Sequence, residues 1–274
     1  MTPKQLNPWL VEPLWQNFSS LYREAITAQD AKTGMERSHH LTASLYFGIA
    51  ALEAFLNKQM RDRLKAHNSE EEEIINILRK PSVLSKIKKW PQEILGRPMP
   101  LREETLTILC DFNEIRGDLT HPKTSGHDIY TRLENIDSAD VVGSVAEYIA
   151  NFHEIEGTRY PYWIFGWNYL NPRSGSYEIV LINDQQFCNS LRALGLDVPS
   201  GYSAAETWKD NYLGSFDGYC KIREALNKVD RCEPKWDRVP YKPVLCSHWW
   251  LPEHHGTCGH ITEQALHFAR DYGK

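Results

Sequence analysis

Apolar residues recur every three or four positions through most of the first half of the chain, the spacing of one helix face. Leu10, Leu14, Phe18 and Leu21 or Tyr22 form one such stripe. They predict a helix over residues 9–28, capped by Asn7 with Pro8 in its first turn. Leu41, Leu45, Ile49, Leu52, Leu56 and Met60 form a second stripe that starts near Glu36 or Ser38 and runs to about residue 64. Phe47, Ala51 and Phe55 widen it, so this helix is expected at the centre of a bundle. Gly48 in its middle costs about 1 kcal/mol against alanine, and close approach of a neighbouring helix is the expected reason. Ser69 and Glu72 have capping-box spacing and open a short helix that ends near Lys80, ahead of Pro81. Pro81, Pro91, Pro98 and Pro100 divide the stretch from residue 79 to 102 into short pieces on this reading. A further helix is predicted over 103–116, with Leu106, Leu109, Cys110 and Phe112 or Asn113 inward. The last helix of this half is capped by Asp137 or Ser138, carries Val141, Val145, Tyr148, Ile149 and Phe152, and ends at Gly157.

Beyond residue 157 the pattern changes to alternation among aromatics. Trp163, Phe165, Trp167 and Tyr169 share one face if residues 160–170 are a strand. Turn chemistry at 171–176 and a second strand at 177–182 would close an antiparallel hairpin. Helices near 184–194 and 204–228, a proline-bearing tail and a short helix near 262–272 complete the reading. The expected architecture is mainly α: a helical bundle over 1–157, then a smaller α+β segment with a β-hairpin over 158–274.

Composition narrows the function classes. The chain has 274 residues, with 31 basic and 36 acidic side chains, for a formal net charge of −5. A protein that coats nucleic acid in general would be basic overall. No apolar run approaches the roughly 18 residues that span a bilayer, and the first residues lack the apolar core of a signal peptide. The cytosol is the expected compartment, with no membrane partner. Six cysteines in a chain of this length are thiols or metal ligands there rather than a disulfide framework.

The residues with chemistry lie at the end of the 103–116 helix. Arg116 is followed after four residues by His121, and Pro122 comes next. Five positions on an ideal helix differ by about 140°, so the two side chains would not share a face. Pro122 pushes His121 out of helical angles, and Gly117 allows unwinding, so the two are expected to converge at a frayed end. An arginine offers a permanent planar cation for phosphate oxygens, and a histidine exchanges protons near neutral pH. Together they suffice to cleave RNA through its own 2′-hydroxyl, without a metal.

Two segments read together resemble the HEPN superfamily over roughly residues 5–155. One is Gly48 to Asn57, similar to the family's long helix with its internal acid, here Glu53; the other is Asn113 to Pro122, similar to its Arg-x4–6-His motif. The resemblance implies a bundle of four to five helices that dimerises. It implies a metal-independent endoribonuclease site at the two-fold axis, as in toxin–antitoxin and phage-defence proteins. Arg116 would bind phosphate and His121 would move the proton. In active members the residue after the arginine is commonly Asn, Asp or His; here it is Gly117, and Asp118 is the nearest polar substitute. A catalytically silent module that binds RNA, a nucleotide or a protein partner is the competing reading, and an antitoxin is the protein partner that the resemblance implies.

Glu53 lies in an apolar helix four residues before Asn57, so the two share a face. A buried acid needs a partner, whether it locks the bundle or orients Arg116. Seven basic residues between 79 and 102, with Lys86, Lys88 and Lys89 among them, and Lys123 beside the motif, are candidate RNA contacts. A solvated face is the plainer reading of such a run. Cys246, His248, Cys258 and His260 form two Cys-x-His pairs, ligand types that suit a structural zinc, although the spacing is unusual. No cofactor is expected for catalysis.

Overall fold

The computed structural model describes residues 13–121, 128–165, 170–171, 178–179 and 214–227. Among them the chain is mainly helical: α1 (Pro13–Asp30), α2 (Gly34–Ala66), α3 (Glu71–Arg79), α4 (Val83–Leu95), α5 (Glu103–Thr120), α6 (Asp128–Glu134), α7 (Ser138–Glu156) and α8 (Phe216–Asn227). A 3₁₀ turn (Tyr162–Phe165) and two short strands, β1 (Leu170–Asn171) and β2 (Glu178–Ile179), lie between α7 and α8.

The central position expected for α2 is observed. It packs against α1, α4, α5, α6 and α7, and its stripe from Leu41 to Met60 is buried. A Cβ placed on Gly48 would lie 3.4 Å from Val145 Cγ2 and 3.6 Å from Leu21 Cδ1. The glycine therefore sits where α1 and α7 both close on α2. Phe18, Leu21 and Tyr22 of α1 and Val141, Val145, Tyr148, Ile149 and Phe152 of α7 fill the same core. Asp137 caps α7 by accepting from the Ala139 N–H at 2.9 Å, and Gly157 ends it at φ +72.

Several boundaries differ from the sequence reading. Helix α2 begins earlier, because Thr33 caps it by accepting from the Glu36 N–H at 3.1 Å while Glu36 accepts from the Lys32 N–H at 2.9 Å. That is a near relative of the capping box, present in the sequence as Thr33 to Glu36. The box read at Ser69 does not form: the cap of α3 is Glu70, without a side-chain hydrogen bond. Helix α4 runs unbroken through Pro91. Proline lacks the N–H that would bond the carbonyl four residues back. Here that carbonyl, on Ile87, instead accepts from the Tyr148 hydroxyl at 2.9 Å. Helix α5 continues past Arg116 to Thr120, and α6 was not expected at all.

Three arginines serve helix ends. Arg37 donates to the Glu134 carbonyl that ends α6 at 3.4 Å and to Ile136 just beyond it at 2.6 Å, Arg63 to Ile94 at 2.9 Å in α4, and Arg97 to Ile155 at 2.7 Å in α7. The last carbonyls of a helix have no partner within it, and a cation there also meets the negative end of the helix dipole.

Residues 162–165 form the 3₁₀ turn instead of a strand. Phe165 and Ile164 are buried in the same core as the bundle, and Trp163 meets Phe18 edge-on at 5.5 Å. Trp163 and Phe165 therefore pack on the helices from a 3₁₀ turn, while Trp167 and Tyr169 lie outside the described residues. Leu170 pairs with Ile179 and Asn171 with Glu178, a two-residue ladder that does not amount to the expected hairpin. Helix α8 begins at Phe216, with Ser215 accepting from the Gly218 N–H at 3.1 Å; residues 204–213 of the expected helix lie outside the described residues. Tyr219 stacks on Phe165 at 4.8 Å, so the core does not stop at residue 157. The readings at Asn7, Pro8 and Leu10, at 184–194 and at 262–272 lie outside the described residues.

Candidate functional site at the end of helix α5

Helix α5 is held on its inner side by Leu109, Phe112 and Ile115, all buried. This fixes which residues of its last turns face outward. Arg116 is half-buried, and among the described residues its guanidinium makes no ion pair or hydrogen bond. His121 is the exposed cap of the helix, with φ −133 and ψ 73. Its own N–H still bonds the Gly117 carbonyl at 2.8 Å. The helix therefore keeps its pitch through Gly117, without the unwinding expected there, while His121 leaves helical angles as expected ahead of Pro122. By helix geometry positions 116 and 121 lie about 140° apart around the axis of one chain.

Two polar groupings result from that rotation. Thr120 lies four residues after Arg116, on the same stripe, and its hydroxyl donates to the Arg116 carbonyl at 2.8 Å. Tyr46 of α2 meets the same hydroxyl at 2.5 Å. Glu114, Asp118 and His121 occupy the other stripe, at spacings of four and three. Arg132 of α6 reaches Asp118 at 3.4 Å and Glu114 at 3.5 Å, so Asp118 is already engaged by a cation. Sequence reasoning missed Tyr46, Thr120 and Arg132. Thr120 was legible from its spacing to Arg116. Tyr46 is 74 positions away and carried no such signal.

Glu53 pairs with Lys86, not with Arg116. The Lys86 Nζ lies 2.6 Å from Glu53 Oε1 and 2.9 Å from Asn57 Oδ1, and 5.2 Å from the centre of the Trp90 ring. Lys86 is 2% exposed, which corrects its reading as an RNA contact: its charge is consumed inside the bundle. Lys88 and Lys89 are exposed. Lys123, Cys246, His248, Cys258 and His260 lie outside the described residues, among which no cluster of His, Cys, Asp and Glu could hold a metal ion. No helix of the described residues is long and apolar enough to cross a membrane.

A fully buried acid escaped the sequence reading. Glu147 of α7 accepts from Arg102 Nε at 3.1 and 3.2 Å, through both carboxylate oxygens, and from the Thr105 hydroxyl at 2.7 Å. The hydrogen bond to Glu147 raises the Arg102 pKa above its ordinary value. The signal was the single charge in the stretch 141–152 of α7, which is otherwise apolar almost all round. Compared with known proteins, the chain matches no family model, no curated protein and no solved structure.

Proposed function

We propose that the chain is a metal-independent endoribonuclease of the toxin or phage-defence type, acting as a homodimer of HEPN-like bundles. The observation that carries this reading is Arg116: a half-buried guanidinium without a partner among the described residues, five positions before an exposed histidine. A planar cation of this kind suits a phosphate with its developing charge. In the reaction, the 2′-oxygen attacks phosphorus as a histidine takes its proton. The P–O5′ bond breaks, and a second proton goes to the departing 5′-oxygen. The products are a 2′,3′-cyclic phosphate and a 5′-hydroxyl. Two-fold pairing of the α5 ends would supply one His121 to take a proton and the other to give one.

Pairing also answers the 140° separation within one chain, because the arginine of one protomer can serve the histidine of its partner. The test is expression of the chain in cells. Growth arrest relieved by His121→Ala, with RNA cleavage in EDTA and a dimer by light scattering, is the expected result. Toxicity that survives the substitution overturns the reading.

The catalytically silent binding module is favoured by one specific observation. Asp118, the substitute for the polar residue that Gly117 lacks, is held by Arg132 on the other stripe of α5. Under that reading the same surface binds RNA, a nucleotide or an antitoxin-like protein without cleaving, and His121→Ala leaves binding unchanged.

A further inference from the structure

Most arginines among the described residues are committed, Arg37, Arg63 and Arg97 to helix-end carbonyls and Arg102 and Arg132 to carboxylates. Arg116 is different. It is half-buried, and its guanidinium has no such partner among the described residues. The acids nearest to it on its own helix, Glu114 and Asp118, lie two positions away on either side. They point about 200° around the axis, where Arg132 meets them. What shares its stripe is Thr120, whose hydroxyl meets that of Tyr46 on α2. The single Thr120 proton goes to the Arg116 carbonyl, so in the Tyr46–Thr120 contact the tyrosine is the donor.

We propose that Tyr46 and Thr120 complete, with Arg116, a seat for one phosphodiester group of an RNA strand on the face between α2 and α5. Tyr46 is the phosphate-binding residue that α2 contributes. In the free protein its proton rests on Thr120. A phosphate oxygen is the stronger acceptor and takes that hydrogen bond, while the guanidinium holds a second oxygen. The proposal rests on the RNA-directed reading above. It goes beyond it in naming a residue outside the Arg116–His121 motif, and in separating a seat that binds from a histidine that transfers protons.

The probe is a fluorescein-labelled oligoribonucleotide, 2′-O-methylated throughout so that it has no attacking hydroxyl, with binding read by anisotropy. Tyr46→Phe is expected to weaken binding roughly tenfold, as loss of a hydrogen bond to a charged group does. Arg116→Ala should weaken it at least as much, and His121→Ala should leave it unchanged. Thr120→Val tests the same network: combined with Tyr46→Phe it should add little to either alone. Melting temperatures of all four variants guard against unfolding. If Tyr46→Phe binds like wild type while Arg116→Ala does not, the seat is overturned and the nuclease reading stands. If binding depends on Tyr46 but unmodified RNA is never cleaved, the seat stands and the nuclease reading falls. If the wild-type chain does not bind the probe, the seat is overturned, and the nuclease reading is decided by whether unmodified RNA is cleaved.

Discussion

Lys86 is a lysine whose charge is spent inside the protein. Its stem and ammonium are buried between α2 and α4, and the ammonium is held by Glu53, Asn57 and the face of Trp90. Removing one partner of such a pair leaves a charge without compensation in a place where water does not reach. Glu53→Gln is expected to destabilise the fold by about 3 kcal/mol, at the low end of the usual range because Glu53 is itself 35% exposed. Urea denaturation checks this. The need for a partner at Glu53 was legible in the sequence, and its shared face with Asn57 was too. The identity of the partner was not, because the basic run from 79 to 102 read as a solvated face. Within α4, Val83, Lys86, Ile87 and Trp90 fall on one buried stripe ahead of Pro91, and the lysine faces inward. Gly117 carries the opposite lesson. A Cβ there would meet nothing within 4 Å, and its backbone is helical. Gly117→Ala should stabilise the chain by up to about 1 kcal/mol, measured as a rise in melting temperature. Packing therefore does not require a glycine at this position.

The elements show how a helix can tolerate a proline in its interior. The orphaned Ile87 carbonyl of α4 and the hydroxyl of Tyr148 on α7 are both buried, and each satisfies the other. Tyr148→Phe removes the donor and leaves the carbonyl without a partner, at an expected cost of about 1–3 kcal/mol. In a Pro91→Ala background, the new backbone N–H can bond the same carbonyl, so the cost of Tyr148→Phe should shrink. A double-mutant cycle by denaturation measures the difference, and equal costs in both backgrounds would refute the account. This explains why α1, α2 and α7 were legible and the region between was less so. The long stripes are repeated many times over and survive one misleading residue. A rule about proline is local, and a tyrosine 57 positions later in the sequence overrides it. The aromatic stretch failed in a similar way: alternation suited a strand, but the deciding fact was the space beside Phe18 and Tyr219, which no local pattern records.

At the scale of the whole molecule, three core tyrosines couple stability to alkaline pH. Burial raises the pKa of Tyr148 and Tyr160, and pushes that of Tyr219 up to about 12. In the unfolded chain each ionises near 10. Between those values the unfolded state has lost protons that the folded state retains, so unfolding becomes more favourable as pH rises. The melting temperature should be insensitive to these groups below about pH 9 and fall steeply from about pH 10 towards 12. Tyr219→Phe should flatten part of that fall in thermal scans by circular dichroism. The buried Glu147, held by Arg102 and Thr105 at the start of α5, and the stacking of Tyr219 on Phe165 link α5, α7 and α8 to one core, so the loss should be cooperative rather than piecemeal. The close approach at Gly48 also has a consequence in time. The notch that the glycine leaves in α2 is shared between α1, made before it, and α7, made some 70 residues after α2 ends. At ribosomal speeds of about 5–20 residues per second, the α1–α2 hairpin emerges with its greasy notch uncovered for roughly 4–14 seconds or longer. During that window the nascent chain offers a binding surface to chaperones, which the arrival of Val141 and Val145 then withdraws.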